Sequence, residues 1–299
     1  MLRYFRSSFR FLVILSVLLA PSLCSQSIEL RYQFPKGAQY RFKQIEKTTV
    51  LAQSNDGRGT QIDQRTTRYF SVTIEHANMD EFQYLFVQDT AIVDETGEDA
   101  GNQRQNLDFQ NVLTKKRIRV RQSPSGKVLA TTAVDPLNVQ ARFGPGASDA
   151  MFTARAAILP ALPLRAMEPG AQWTDTRRDT LYPAKEFPGV GRGSGIRMVS
   201  NTTAYTIGDI GDREGHRCVA VSWQGNAAME EKILFEKLEE FTEDETVTTG
   251  ELFLAVETGL PVFMDVTTEQ ENTRALFGDQ NSVVPSSIRS RVTLELFSQ

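Results

Sequence analysis

Phe70-Ser71-Val72-Thr73-Ile74-Glu75 alternates apolar and polar side chains without a break. A period of two puts one face of an extended chain in a core and the other in water. The same beat sounds on either side, in Leu30-Tyr32-Phe34 and in Ile118-Val120, the latter set among Arg117, Arg119 and Arg121. It returns in Val219-Val221-Trp223, Leu252-Leu254-Val256, Val262-Met264-Val266 and Val292-Leu294-Leu296. Phe82 to Val87 (FQYLFV) is nearly apolar on both faces and predicts a central, doubly covered strand. Met229 to Phe241 carries both periods: Leu234, Leu238 and Phe241 suit a helix, Ile233 and Phe235 a strand.

Two turn signals recur at one shift. Gly37-Ala38-Gln39-Tyr40 matches Gly170-Ala171-Gln172-Trp173, and Ser125-Gly126 matches Thr258-Gly259, both 133 positions apart. The shift also sets Thr73-Ile74 on Thr206-Ile207 and Glu81 on Glu214. Independent turns need not share an offset, so an internal duplication is expected. It favours a strand at Met229 to Phe241. The predicted fold is mainly β: antiparallel meanders in two duplicated halves, residues 28–160 and 161–299, forming a curved sheet or half-barrel.

Between the halves the pattern changes. Asp135-Pro136 predicts a helix start. Ser148 predicts the cap of a second short helix through Ala157, with Met151, Phe152 and Ala156 on one side. Ile158 to Pro163 (ILPALP) is expected to be extended, because proline cannot continue a helix. Residues 53–60, 96–106 and 184–195 read as long loops. The last is rich in glycine but lacks the Lys-Ser/Thr of a phosphate-binding loop.

Residues 1–24 have the layout of a secretory signal peptide: Arg3, Arg6 and Arg10, then the apolar run Phe11–Ala20, then Pro21 and small residues. The run is too short to span a bilayer, which takes about 20 residues. Leu23 before Cys24 departs from a lipid-attachment box, and cleavage after Cys24 fits the small-residue rule better. The chain is then expected to be exported, periplasmic or extracellular, with no helical span after processing. Cys218 is the one remaining cysteine, which allows no internal disulfide.

The chain has 299 residues, 40% apolar and 23% charged, a composition that builds a core. Without its first 24 residues it holds 30 basic and 37 acidic side chains. A mildly acidic body argues against a nucleic-acid partner.

Phe34-Pro35-Lys36-Gly37-Ala38-Gln39-Tyr40, Leu159-Pro160 through Leu162-Pro163, Pro169-Gly170-Ala171-Gln172-Trp173 and Gly250 through Gly259 (GELFLAVETG) together resemble an uncharacterised family of secreted bacterial β-proteins. The resemblance spans most of the chain through short motifs. It implies export and a curved antiparallel sheet, and no established activity. In architecture it is similar to periplasmic lipoprotein carriers, and fold analogy does not carry function.

Catalytic material is poor. His216 and Cys218 share a strand face, but a zinc site needs at least three protein ligands, so no metal and no cofactor is expected. A Cys–His nucleophile pair there lacks a third, orienting group. The carboxylates around Glu95 and Glu240 cluster in turns, where solvated acids are ordinary. Arg117, Arg119 and Arg121 align on one strand face and are the candidate anion-binding row; a wet face balanced by neighbouring acids is the other reading. Phe82, Tyr84, Phe86, Met151, Phe152 and Trp223 are the candidate ligand-lining residues, with a plain core role as the alternative for each. The expectation is a non-enzymatic exported β-protein that binds a lipid, another amphiphile or an envelope partner. A structural or assembly module of the envelope stands second, and a hydrolase of envelope polymers third.

Overall fold

The computed structural model describes residues 27–53, 59–97, 103–144, 148–159, 162, 166–187, 191–278 and 281–298. The signal-peptide and Cys24 expectations lie outside them. The strands are β1 (Ile28–Glu29), β2 (Gln39–Gln53), β3 (Gly59–Ala77), β4 (Phe82–Gly97), β5 (Arg117–Gln122), β6 (Val128–Ala133), β7 (Ala166–Met167), β8 (Gln172–Leu181) and β9 (Ala184–Phe187). β10 (Gly191–Arg213), β11 (His216–Leu234), β12 (Glu239–Ala255), β13 (Pro261–Phe277) and β14 (Ser282–Ser298) complete the set. Among the described residues three short α-helices, α1 (Gln103–Gln110), α2 (Val139–Phe143) and α3 (Asp149–Thr153), lie outside the sheet.

One antiparallel sheet runs in the order β6-β5-β4-β3-β2-β14-β13-β12-β11-β10-β8, with β9 beside one end of β10. Strands β6 and β8 end it without pairing to each other, so the sheet is open. The two halves meet edge to edge, β2 against β14. Their repeated turns share hydrogen bonds as well as letters. Gly37 N–H donates to Ile74 O and Gly170 N–H to Ile207 O, both at 2.8 Å. Gln39 pairs with Thr73, and Gln172 with Thr206. Both glycines sit at positive φ, +83° and +84°, where a side chain is strained.

A strap over residues 30–34 shows that the sheet curls. Tyr32 N–H donates to Pro124 O at 2.9 Å, and Gln33 N–H to Thr258 O at 2.8 Å. Pro124 turns β5 into β6; Thr258 turns β12 into β13. In a flat sheet six strand spacings would hold β5 and β12 roughly 29 Å apart. Adjacent residues, with Cα atoms about 3.8 Å apart, bridge their turns only if the sheet wraps round. Gly259 lets the strap in close: a Cβ there would lie 2.2 Å from the Arg31 carbonyl.

The strap and the linker plug one end of this half-barrel. Leu30, Tyr32 and Phe34 are buried, as the alternation predicts, but only Ile28–Glu29 forms ladder pairs, with β7. Phe34 packs 5.3 Å from Phe82 and 5.7 Å from Tyr40, centroid to centroid. The Tyr84 hydroxyl donates to Ala156 O at 3.0 Å, and Gln122 Nε2 to Leu159 O at 3.2 Å, fixing the linker to the sheet.

Several local expectations need correction. Strand β4 has one buried face, Phe82-Tyr84-Phe86, while Gln83, Leu85 and Val87 are half-buried on the outer face. Pro136 starts no helix; α2 begins at Val139, after Asn138 at φ 55°. The Ser148 helix ends at Thr153 and tightens to a 3₁₀ turn, Ala154–Ala156. It turns Met151 outward, 49% exposed, and Phe152 inward. Residues 96–106 are expected to be loop, but 103–106 open the α1 helix, Gln103–Gln110. Residues 191–195 are strand. A Cβ at Gly195 would lie 2.0 Å from the Lys232 carbonyl, so glycine is what lets β10 close on β11 there. Residues 229–241 are β rather than helix, as expected, but two strands joined by a turn at 235–238 replace the single strand.

Candidate functional site

On the concave face, side chains fall into rows that cross the strands. One row reads Arg68 (β3), Gln44 (β2), Leu294 (β14) and Met264 (β13), each paired with the next. It is the floor of a recess of about 460 Å³. Its roof is the end of α1 and the linker: Phe109, Gln110, Ala154, Arg155, Ala157 and Ile158. Glu46 lies one row up, beside Arg68. The cavity is therefore apolar towards β13 and β14, and polar towards β2 and β3.

Two guanidinium groups and one carboxylate line the polar end. Arg68 Nη2 donates to Glu46 Oε2 at 2.8 Å. The Arg68 side chain is 11% exposed, and its Nε is buried with no hydrogen-bond partner. Among the described residues Arg155 bonds only neutral oxygens, the Phe109 carbonyl at 3.3 Å and the Gln110 Oε1. Its guanidinium sits 5.1 Å from the Phe109 ring centroid, a cation–π contact. Burial, reinforced by the charge on Arg68, pushes the Arg155 pKa down to about 10. Burial also lowers the Arg68 pKa, against the pull of Glu46. Among the described side chains that line the recess, two arginines face one glutamate, which leaves one positive charge uncompensated in a half-buried site. Such a charge is costly without a partner, and an anion is the partner that relieves the cost.

The next row continues from Glu46 as Val292, Val266, Gly250, Trp223, Tyr205 and Trp173. Gly250 leaves room for the Trp223 ring; a Cβ would lie 2.2 Å from it. Tyr205 and Trp173 stack at 4.6 Å with planes 3° apart. These six positions form a half-buried apolar lane of roughly 24 Å, from five strand spacings.

The sequence singled out other residues. Phe82, Tyr84, Phe86 and Phe152 are 0–2% exposed and belong to the core, under the recess or behind it. Met151 points to solvent on the far side of α3. Trp223 alone of that set lies on the open concave surface, in the lane. Arg117, Arg119 and Arg121 do align on the outer face, but each meets an acid: Asp135 at 2.8 Å, Glu75 at 3.0 Å and Glu81 at 2.5 Å. The Arg117 bond holds the Asp135 carboxyl down to about 2. The row is a neutralised wet face rather than a bare cationic one. Cys218 is buried, and burial raises its thiol pKa, which disfavours the reactive thiolate.

The chain matches no known protein-family profile and no curated protein sequence. Among solved structures it overlaps OmpF of Salmonella typhi in complex with daunomycin, at 8% identity and a TM-score of 0.25, over 86% of this chain and 98% of that one. An anion-selective porin from Comamonas acidovorans gives 9% and 0.24, over 88% and 100%. The hypothetical lipoprotein YmcC from Escherichia coli gives 10% and 0.20, over 81% and 85%. Overlaps this slight are what long meandering strands share, and they do not extend to a common function. Among the described residues no helix is long and apolar enough to cross a membrane.

Proposed function

We propose that the protein is an exported, non-enzymatic β-protein that holds an amphiphilic ligand between its helical linker and its concave sheet. One observation carries this reading: the recess grades along a single cross-strand row from Met264 and Leu294 to Gln44 and Arg68. A cavity apolar at one end and charged at the other suits a molecule built the same way. Export rests on the N-terminal sequence. The outer face carries cross-strand ion pairs such as Arg291–Asp265 and Arg289–Glu269, side chains that suit water better than lipid. Native mass spectrometry of the protein purified from its host tests the reading. A co-purifying amphiphile supports it; a bare mass from gently handled protein, together with no uptake of added lipid, contradicts it.

A second reading, an envelope assembly module, has one observation in its favour. Strand β6 (VLATTA) is an uncharged edge with Val128 and Leu129 45% and 47% exposed. A partner strand adding there would slow hydrogen exchange of β6 amides in envelope extract. Edge β8 is guarded by Asp175, Arg177, Arg178 and Asp179, all exposed.

A further inference from the structure

The reading above leaves open what the polar end of the ligand is. Resting on that reading, we propose that the recess selects an anionic head, a carboxylate or phosphate monoester, held between Arg68 and Arg155, with its apolar tail laid along the lane toward Trp223.

Three features of the molecule converge on this. Arg155 makes its hydrogen bonds to neutral oxygens, so among the described residues its charge has no carboxylate bonded to it. Arg68 shares Glu46 but keeps a buried, unpartnered Nε. Both guanidinium groups line the same cavity, which arrives at them from its apolar end. A planar carboxylate or a phosphate accepts paired N–H donors from arginine, and such charge-assisted bonds are the strong ones. A zwitterionic or cationic head gains less, because its positive part would face the same arginines. The tail has one direction open to it: the core closes the row below, and the row above is polar, with Thr48, Ser290, Thr268 and Thr248 across β2, β14, β13 and β12. Between them the apolar lane leads away from Glu46.

The test is calorimetric titration of the purified protein with dodecanoate, dodecyl phosphate, dodecyl maltoside and dodecyltrimethylammonium, each kept below its micelle concentration. Both anions are expected to bind at least about tenfold more tightly than the neutral and cationic probes. The ratio of the two anions tells a carboxylate from a phosphate preference. If dodecyl maltoside binds as tightly as the anions, the anionic head is wrong while the amphiphile reading stands; if no probe binds, both fall. Arg155→Met is expected to weaken the anions by about tenfold and leave dodecyl maltoside unchanged. Arg155→Lys, which keeps the charge, is expected to restore most of the loss, and serves if the methionine variant does not fold. Equal weakening of all four probes by Arg155→Met would overturn the assignment. The tail's course is read separately, by quenching of Trp223 fluorescence with 12-bromododecanoate, using Trp173→Phe to isolate the signal. Saturable binding without quenching places the tail elsewhere.

Discussion

The plugged end of the sheet and its far end are made of the same strands in the same ladder, yet they are held together differently. Near the plug, the concave face is Phe42, Phe70, Val72, Phe86, Leu252 and Leu294, all 3% exposed or less. Farther along, the same face turns to threonine, glutamine and aspartate. Thr248 and Thr268 hydroxyls lie 3.4 Å apart, and Asp244 accepts from Thr246 at 3.0 Å and from Gln270. Near the far rim Glu231 and Glu240 are almost fully buried against Arg197 and Arg274. The backbone pairing is continuous, so the difference lies in the side chains. One end is driven by apolar burial; the other is kept extended by β-branched residues and cross-strand polar pairs. The recess sits where one regime gives way to the other.

The largest effect is expected at the plug. Phe152 is fully buried and packs 5.4 Å from Phe143 and 4.8 Å from Phe109, which lines the recess roof. Phe152→Ala is expected to cost about 3–5 kcal/mol in denaturant unfolding and to loosen the linker. A loss below about 1 kcal/mol would mean the linker is not part of the core.

At the far end, Arg197→Met removes the partner bonded to Glu231 at 2.5 Å. The carboxylate side chain is 7% exposed but the arginine 37%, so a loss of about 2 kcal/mol is expected, below the value for a fully buried pair. Thr248→Ala, in the polar stretch between, is expected to change stability by no more than about 0.5 kcal/mol. If it rivals Phe152→Ala, the contrast between the two regions is wrong.

Tyr84→Phe sharpens the picture at the linker itself. It deletes the hydroxyl bonded to Ala156 O and nothing else, and is expected to cost about 1–2 kcal/mol. Amide exchange at residues 154–158 should speed up more than exchange in β12 and β13.

The smallest effect concerns the outer face. Asp135 titrates at about 2, chiefly because Arg117 hydrogen-bonds its carboxylate. A depressed carboxylate contributes stability above its ordinary value near 4, and loses it as pH falls toward 2. Carbon NMR of the Asp135 carboxyl should show that low midpoint, and an Arg117→Gln variant should raise it part of the way toward the ordinary range, because the residue 117 backbone N–H still donates to the carboxylate. A midpoint near 4 in the parent protein would show that the pair does not persist in solution.

Much of the scaffold was legible because strand faces and tight turns leave local marks. Phe70-Val72-Ile74 is read from six residues, and Gly37 and Gly170 from four each. The recess was not legible, because Arg68 and Arg155 come from opposite sides of the first half and meet only when the linker folds back. One local mark of it does lie in the sequence. Arg68 and Thr66 share the phase of Phe70 and Val72, and Gln44 and Glu46 share the phase of Tyr40 and Phe42. A charged residue on the buried phase of a strand, just past its apolar run, marks the rim of a core. The row at Arg117, Arg119 and Arg121 drew more notice in the sequence, yet its charges lie on the wet phase. Acids neutralise them there: Glu75 is a partner expected from a nearby strand, whereas Glu81 and Asp135 lie in turns that the strand pattern does not register.

The central claim is that the concave face carries its ligand at the boundary between the two regions, under the linker. Hydrogen exchange measured with and without saturating dodecanoate tests it most directly. The account predicts added protection in residues 107–110, 154–158, 44–46 and 66–68, with β12 and β13 beyond Thr248 and Thr268 unchanged. Protection confined to the far ends of the strands, or spread evenly over both faces of the sheet, would contradict it.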